Sequence, residues 1–540
     1  MTESAAQNAT PRIPAWHWTI VGCAALLALL PAVYTVYRGY EAVGGVANIN
    51  GSLLWTLVQN TIAYALLAAL IAGCIGTTQA LLIENGRLPF WGFWRILVAL
   101  PLVIPPYVSA LTFLTLLRPH GMFEKWLVSN GLTDFGALPF DGIFGVFGSA
   151  FVLGTSLSPY VYFPVSAVLQ SRSQHLSELA RITGASTTRR IRHILLPMVL
   201  PAMGGGMLLV LLYALADFGV PALLRLPTFS TAIYARYAGS VDRSGAALLS
   251  IPLIAITGLL IFVQDRFFGH GVTQINRSWK PPMSQQMNLK TVMFCVFITL
   301  SVIPALGVPL GMLLTWIGSP VSAVERASIM PFGSIVSAAA RTLVLSFLVA
   351  TGVEVLGLLV ARVLRHGGTL GYSIGRIAQI GYALPGIVVG LSVVLMLSAF
   401  VPALLGGIIP LVLALTIRFL PQAIQGMDVS LRLVTPSLED AGRLLGQTPL
   451  GVLRYIIVPL SASGIRSTWA LVFLGLLKEL PATLLLRPAG FDTLAVRIWM
   501  PTSDGFVVSA AGPALALIVC AFVPFIALQW RTSEHLKTQP

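Results

Sequence analysis

The feature that most constrains this chain is a series of apolar segments, each close to the length of a membrane-crossing helix. A helix needs about 20 mainly apolar residues to cross roughly 30 Å of hydrocarbon. Of the 540 residues, 56% are hydrophobic and 10% are charged, which is too apolar for a soluble multidomain protein. We therefore predict an all-α polytopic membrane protein with about 12 transmembrane helices, at residues 16–37, 55–80, 92–117, 143–170, 198–224, 245–268, 290–317, 335–361, 374–399, 404–428, 461–486 and 507–529.

Basic residues in the loops indicate how these helices are oriented. The chain has 33 Lys and Arg against 19 Asp and Glu, a formal net charge of +14. Cytoplasmic loops carry an excess of Lys and Arg, and a cytoplasmic N-terminus places most of these residues on that side. We therefore predict a multi-pass protein with both termini in the cytoplasm. The basic residues are scattered between apolar segments, so we expect no nucleic-acid partner.

An internal repeat relates the two halves of the chain. Residues 176–197 (LSELARITGASTTRRIRHILLP) match residues 438–459 (LEDAGRLLGQTPLGVLRYIIVP) without a gap, at an offset of 262 residues (438 − 176). The same offset pairs Gly184 with Gly446, Pro197 with Pro459, and Asp217 with Glu479. A register kept over this length indicates a duplication.

Looser matches extend the repeat toward the start of each half. NTIAYALL at 60–67 resembles RTLVLSFL at 341–348, and LVALPLVIP at 97–105 resembles GYALPGIVV at 381–389. The second of these matches pairs two prolines, Pro101 and Pro385.

Each half contains six predicted spans, so both charged stretches emerge on the same face of the membrane. The duplication is therefore parallel, unlike the inverted repeats of many secondary transporters. We predict a first six-helix repeat at 1–268 with a loop at 171–197, a cytoplasmic linker at 269–289, and a second six-helix repeat at 290–540 with a loop at 429–459.

The two charged loops share a local design that predicts a docking surface for another protein. Acidic residues come first, where they complement the positive end of a helix, a glycine then permits a turn, and a proline marks entry into the next span. In both copies the glycine stands 13 residues before the proline (197 − 184 and 459 − 446). An ordinary basic loop does not explain that spacing, so we expect a short helix, a turn and a second short helix. The candidate docking residues are Ser177, Glu178, Ala180, Gly184, Pro197, Glu439, Asp440, Ala441, Gly446 and Pro459.

These loops resemble the coupling loops of the integral membrane subunits of ATP-binding-cassette importers, which carry Glu-Ala-Ala, then a glycine and a Leu-Pro pair. The second copy fits the motif well at Glu439, Ala441 and Gly446, whereas the first has Ser177 in place of the leading glutamate. The resemblance implies the type I importer permease fold. It also implies that the helix before each glycine docks on an ATPase subunit and transmits its closure to the membrane helices.

Two further segments, 215–237 and 477–499, are similar to those of fused, two-half ferric-iron permeases of bacteria. This resemblance implies transport of iron(III) from a periplasmic binding protein, across the bacterial inner membrane, by alternating access. Permeases for thiamine, sulfate, polyamines and phosphonates share much of the pattern and remain alternatives. A secondary transporter or channel driven by an ion gradient is an alternative from another class.

The energy source is expected outside this chain. The sequence contains no Gly-x-x-x-x-Gly-Lys-Ser/Thr phosphate loop, the motif in which backbone amides hold nucleotide phosphates. We therefore expect no catalytic residue and no cofactor here, with ATP and magnesium bound by two copies of a separate cytoplasmic ATPase. No tight cluster of His, Cys, Asp and Glu predicts a resident metal site.

Charged residues within the apolar segments are candidates for the transport path, because such residues usually face protein or water. Asp217 and Glu479 lie 20 residues beyond Pro197 and Pro459, which is roughly 30 Å along a helix and near the periplasmic end. As hard oxygen donors they suit direct contact with iron(III). Alternatively they hold helix ends together, with Glu479 offset by the adjacent Lys478.

Arg418 and two prolines complete the candidate set. Arg418 either pairs with Glu354 across helices or extends toward the inner membrane surface, and its position beside a cytoplasmic loop favours the second arrangement. Pro101 and Pro385 interrupt helical hydrogen bonding. We interpret them as bending points for alternating access or as packing kinks.

Overall fold

The described part of the chain is built from helices. The computed structural model describes residues 15–43, 50–85, 88–134, 143–171, 193, 195–240, 242–268, 288–318, 329–432 and 434–537. Short 3-10 and π-helical turns join the α-helices, and no β-strand occurs among these residues. Because lipid offers no partner for backbone polar groups, a chain this apolar satisfies them within helices. The predicted all-α class is confirmed.

The first half of the described chain contains eleven α-helices. They are α1 (Ala15–Val43), α2 (Gly51–Asn85), α3 (Trp91–Ala99), α4 (Pro106–Leu117), α5 (Met122–Ser129), α6 (Gly145–Ser156), α7 (Ser158–Ser171), α8 (Leu196–Ala216), α9 (Gly219–Leu223), α10 (Phe229–Tyr234) and α11 (Arg243–Phe268). A 3-10 turn, Leu100–Val103, follows α3, and a π-helical turn, Ala235–Gly239, follows α10.

The second half contains thirteen α-helices within the described ranges. They are α12 (Leu289–Val302), α13 (Val308–Gly318), α14 (Phe332–His366), α15 (Gly368–Ile377), α16 (Gly386–Phe400), α17 (Ile409–Leu431), α18 (Pro436–Leu444), α19 (Pro449–Val452), α20 (Val458–Leu460), α21 (Ala462–Leu477), α22 (Pro481–Leu486), α23 (Leu494–Ser503) and α24 (Ala511–Lys537). A 3-10 turn, Ile380–Ala383, precedes α16, and a π-helical turn, Leu453–Ile457, joins α19 to α20.

Eight helical segments of the described chain are long and apolar enough to cross a membrane, and counting three bent pairs as single spans gives eleven. The bent pairs are Trp91–Val103 with Pro106–Ser129, Gly145–Ser156 with Ser158–Gln170, and Pro449–Leu460 with Ala462–Leu477. The remaining predicted segment, 374–399, contains α16, which is apolar but has 15 residues. The polytopic architecture is confirmed, while several helices expected to be continuous are broken.

The order of elements repeats between the halves. α2 and α14 both have 35 residues, and their starts are offset by 281 residues (332 − 51). In each half a short helix and a 3-10 turn then lead into the next membrane helix, α4 or α16. The elements after the coupling loops correspond as well, with α8 and α9 matching α21 and α22. Sequence duplication is therefore also a duplication of local structure.

The structure corrects the alignment of the two prolines. Pro105 and Pro385 have extended backbone, with φ/ψ of −61°/135° and −55°/148°, and each directly precedes a helix. Pro101 instead lies inside the 3-10 turn Leu100–Val103. The counterpart of Pro385 is thus Pro105, since their offset of 280 (385 − 105) equals that of the preceding 3-10 turns (380 − 100). The pairing of Pro101 with Pro385 was four residues out of register, because Leu-Pro is too short a match to fix an alignment.

The two halves interlock through the first helix of each. α1 packs against α14, α15 and α16 of the second half, where Thr35 Oγ1 donates a hydrogen bond to Ser392 Oγ at 2.7 Å. In return, α12 packs against α2 and α3, and α13 packs against α4. Gln79 Nε2 donates to Ser301 Oγ at 3.0 Å across this second contact. One half therefore cannot move relative to the other without changing these contacts.

Two of the predicted segments fall mostly outside the described residues. Residues 269–287 of the linker and 172–192 of the first coupling loop are not among them. The boundaries 1–268, 269–289 and 290–540 remain predictions.

Candidate functional site

The second charged loop forms a helix, a turn and a second helix. Pro436 occupies the first turn of α18, which ends where Gly446 adopts a left-handed conformation with φ of 79°. Gly446 N donates to Arg443 O at 2.9 Å, and Gln447 N donates to Gly442 O at 3.1 Å. These bonds satisfy carbonyls at the helix end, and the conformation favours glycine because it lacks a Cβ. The predicted glycine turn is a true helix stop.

The outer face of this loop is apolar and open. Leu444 and Leu445 are 89% and 83% exposed. Leu438 and Leu450 are also exposed, and we call these four residues the leucine knob. Asp440, on the same loop, is also exposed. Several large apolar side chains exposed on one short loop are typical of a surface that another protein covers.

The inner face of α18 carries a buried charge. Glu439 is 5% exposed and points into the protein, where Arg362 Nη2 lies 3.4 Å from its Oε2 and His366 Nε2 lies 3.7 Å from its Oε1. Arg443 of the same helix lies 3.5 Å from Oε2. Glu439 is therefore buried within this chain, whereas Asp440 and its neighbour Ala441 are exposed.

Glycine also sets how closely α18 packs. A Cβ on Gly442 would collide with the side chain of Ile456 in the π-helical turn that follows α19. The absent side chain lets the two arms of the loop touch. Arg362 and His366 were not among the residues that the sequence predicted for this site.

Of the first-loop candidates, Ser177, Glu178, Ala180 and Gly184 lie outside the described residues. Pro197 and Pro459 are described. Pro197 lies in the first turn of α8, whereas Pro459 lies in α20, near the end of the helical stretch Pro449–Leu460 that a bend separates from α21.

A second group of candidates lies at the other end of those helices. Asp217 follows α8 and Glu479 follows α21, and each carboxylate accepts a bond from the backbone three residues on: Val220 N at 3.2 Å and Ala482 N at 3.3 Å. Both carboxylates therefore close the turn into the next short helix, α9 or α22. This geometry corresponds to the interpretation in which they hold helix ends together.

The side-chain partners of the two carboxylates differ. Tyr64 OH donates to Asp217 Oδ2 at 2.9 Å. Glu479 Oε2 instead accepts a hydrogen bond from Arg418 Nε at 2.9 Å. The Glu479 side chain is 6% exposed and the Arg418 side chain is 20% exposed. A buried carboxylate at membrane depth needs such a partner, since its charge is otherwise poorly solvated.

Three expectations about these charges were wrong. Arg418 pairs with Glu479 rather than with Glu354, and it does not extend to the inner membrane surface. Lys478 does not offset Glu479, because its Nζ donates to Leu102 O in the other half at 2.6 Å. Lys478 and Glu479 follow each other in the turn after α21, yet their side chains bond to different partners.

The two carboxylates share one polar region between the halves. Both Asp217 and Glu479 interact electrostatically with Arg418 and with Tyr213. We call Tyr64, Tyr213, Asp217, Arg418 and Glu479 the central polar cluster. Within the described ranges, no three His, Cys, Asp or Glu side chains are grouped so as to hold a metal ion.

The helix breaks lie against this cluster. A Cβ on Gly386, the residue after Pro385, would come within 2.6 Å of Glu479 Oε1 and 3.2 Å of Arg418 Cζ. In the first half, a Cβ on Gly219 would lie 2.6 Å from Cβ of Tyr107, on the helix that follows Pro105. Each break therefore positions a helix start against the turn that carries Asp217 or Glu479.

A duplicated bundle of membrane helices, with a polar cluster between its halves and an exposed knob at one end, defines a membrane-embedded transport subunit. The chain belongs to the family of inner membrane components of binding-protein-dependent transport systems, whose sequence model matches residues 65–272 and 355–531. One match in each half agrees with the repeat. The resemblance to importer permeases is confirmed.

Individual relatives extend the comparison. An Fe(3+)-transport system permease protein of Haemophilus influenzae is 29% identical over 527 residues, covering 96% of this chain and 98% of that protein. A ferric transport system permease protein of Actinobacillus pleuropneumoniae is 23% identical over 448 residues, covering 80% of this chain and 65% of that protein. A sulfate transport system permease protein of Salmonella typhimurium is 24% identical over 261 residues, covering 45% of this chain and 88% of that protein.

Proposed function

We propose that this chain is the permease of an ATP-binding-cassette importer that carries iron(III) from a periplasmic binding protein into the cytoplasm. Two copies of a cytoplasmic ATPase, each holding ATP and magnesium, bind the two coupling loops and supply the energy. Both termini and both loops face the cytoplasm. The chain itself binds no cofactor and breaks no bond.

The leucine knob is the observation that carries this proposal. Leu444 and Leu445 are the first and second most exposed of the four knob residues, and burying a leucine contributes roughly 1.5–3 kcal/mol of favourable free energy. A groove on an ATPase subunit is the partner that the family resemblance implies for this helix. Positive-inside orientation supports a cytoplasmic location for it.

The path of the chain supports transmission of movement from the knob. The loop continues through Pro459 into α21, with a bend of 79° between Leu460 and Ala462. The 16 residues of α21 span about 24 Å and end beside Glu479 in the central polar cluster. A displacement of the loop is thereby delivered to the region between the halves, where a cargo path opens by alternating access.

Iron(III) is the proposed cargo because two relatives that cover most of this chain are named for ferric transport. Asp217 and Glu479 supply hard oxygen atoms on the proposed path. Both are already engaged, by Tyr64 and Arg418, which favours a gating role over tight binding of cargo. Uptake that stays normal in the Asp217→Asn, Glu479→Gln double variant would exclude direct contact with cargo.

An oxyanion importer is the second candidate. Arg418 and Lys478 bring two cations to the middle of the protein, and a relative named for sulfate transport matches part of the chain. Cationic side chains suit an anion better than a bare trivalent metal ion.

Reconstitution distinguishes the candidates. The permease is placed in proteoliposomes with its ATPase and binding protein, and ATP-dependent uptake of radioactive iron and of radioactive sulfate is measured. We expect iron uptake that requires ATP, and loss of ATPase recovery in the Leu444→Ser, Leu445→Ser variant. Leu343→Ser and Leu348→Ser, which replace exposed leucines of a membrane helix, serve as controls. Sulfate uptake without iron uptake would overturn the cargo assignment, and uptake without ATP would overturn the class.

A further inference from the structure

We propose that Arg362 and His366 are positioning residues that anchor the second coupling helix to α14 through Glu439. The inference rests on the proposed function, because the coupling role of α18 belongs to that proposal. It assigns Glu439 a role inside the chain instead of a contact with the ATPase.

The anchor is a buried cluster of opposite charges. Glu439 is 5% and Arg362 7% exposed, and the closest atoms of the pair are 3.4 Å apart. His366, one helical turn farther along α14, lies 3.7 Å from the other carboxylate oxygen. A buried charge that loses its partner is strongly unfavourable, so this cluster resists separation of α18 from α14.

The anchored helix is long and central. α14 has 35 residues, about 52 Å of helix, and it packs against α1, α17, α21 and α24. A small apolar cluster adds to the anchor, with Ala361 of α14 packed among Met427, Leu431, Val434, Val452 and Ile457. Pulling on α18 therefore acts on α14 as well as on α21, which follows the loop directly.

The first half differs at all three corresponding positions. The offset of 262 places Ser177 opposite Glu439, and the offset of 281 between α2 and α14 places Leu81 and Asn85 opposite Arg362 and His366. The acid and both of its basic partners are thus replaced together. The internal repeat therefore does not carry these three residues at the aligned positions of the first half.

The end of α2 has a different attachment. Glu84 Oε1 accepts hydrogen bonds from Ser166 Oγ at 2.6 Å and from Gln170 Nε2 at 3.2 Å, both on α7. Arg95 Nε lies 3.9 Å from the same oxygen. The buried carboxylate at this end of α2 therefore joins two membrane helices to each other instead of joining a membrane helix to a coupling helix.

This arrangement separates docking from transmission. The leucine knob faces outward while Glu439 faces inward, so loss of the anchor leaves the docking surface intact. Closure of the ATPase then moves α18 without moving α14 to the same extent. We expect hydrolysis to continue with less cargo moved for each ATP consumed.

The test compares stoichiometry in the assembled transporter. Arg362→Gln and Glu439→Gln are each reconstituted with the ATPase and binding protein, and ATP hydrolysis, cargo uptake and recovered ATPase are measured on the same vesicles. We expect unchanged ATPase recovery, and uptake per ATP lower by about 5-fold or more, the low end of typical coupling between sites. Arg362→Lys, which keeps the charge, should restore part of the loss.

Arg443→Gln is the matched control. Arg443 also lies 3.5 Å from Glu439, but both residues belong to α18, so their contact cannot join two helices. We expect near-normal stoichiometry from this variant. Full uptake per ATP in Glu439→Gln would overturn the anchor, and so would loss of ATPase recovery in both glutamine variants, since Glu439 would then serve docking. Absence of ATP-driven uptake in the unmodified protein would instead refute the proposed function.

Discussion

The ion pair between Arg418 and Glu479 gives the sharpest stability prediction. Replacing Arg418 with methionine keeps most of the side-chain volume but leaves Glu479, 6% exposed, without its cation. Losing one partner of a buried ion pair typically costs about 3–5 kcal/mol. Because the Arg418 side chain keeps 20% exposure, we expect a cost near the lower end, about 3 kcal/mol, or about 100-fold in the unfolding equilibrium.

The assay is unfolding in mixed micelles of mild detergent and dodecyl sulfate, followed by tryptophan fluorescence. Arg418→Met, Glu479→Gln and the double variant form a thermodynamic cycle. The double variant should recover most of the loss, because replacing both charges of a buried pair is often close to neutral. Arg432→Met is the control, since the Arg432 side chain is 54% exposed in its pair with Asp428 and such pairs contribute about 1 kcal/mol or less.

Two outcomes would refute this reasoning. One is a cost in Arg418→Met no larger than in the control. The other is a double variant whose loss equals the sum of the single losses, which would mean that the two side chains do not interact.

Two further predictions concern backbone conformation and the first-half carboxylate. Gly446→Ala places a Cβ at φ of 79°, which strains the backbone by about 1–2 kcal/mol, so iron uptake should fall. Gly333→Ala is the control, because its added atoms meet open space, and it should leave uptake unchanged. Equal uptake by the two variants would contradict the turn assignment. Tyr64→Phe removes the hydroxyl that donates to Asp217 at 2.9 Å and should lower stability by about 1–3 kcal/mol in the same micelle assay. A loss that persists in an Asp217→Ala background, which has no side-chain acceptor, would show that the bond is not its cause.

The sequence repeat predicted the parts of the site that depend on register along the chain. An ungapped offset of 262 residues identified the glycine turn at Gly446, and the pairing of Asp217 with Glu479 at equivalent turns. Apolar length predicted the membrane class, since a span depends on composition over about 20 residues. Both predictions depend only on the order of residues along the chain, so they require no knowledge of how the helices pack.

Contacts between helices were not predictable in the same way. Arg418 and Glu479 are 61 residues apart, and their meeting depends on how α17 packs beside the turn after α21. Broken helices were missed for a related reason, since apolar composition continues across the bend at Ser461. A helix that breaks inside a protein can satisfy its backbone with neighbours that hydropathy does not reveal.

The direction in which the Glu439 side chain points could not be predicted from the sequence pattern either. The motif marks it as part of a docking helix, yet the helix has two faces and the pattern does not say which face meets the partner. A usable signal was present in Arg362 and His366, two basic residues one turn apart near the end of an apolar helix. Such residues near a helix end extend to the membrane surface or pair with an acidic group.

Cross-linking from the leucine knob shows whether the second coupling loop binds an ATPase subunit in the cytoplasm. Leu445→Cys is introduced after the four native cysteines are replaced by serine, and a photoreactive maleimide is attached in membranes that contain the whole transporter. We expect a product that joins this chain to the ATPase subunit, and protection of position 445 from a membrane-impermeant maleimide added on the periplasmic side. Labelling from the periplasm, or the absence of any product with the ATPase, would contradict this expectation.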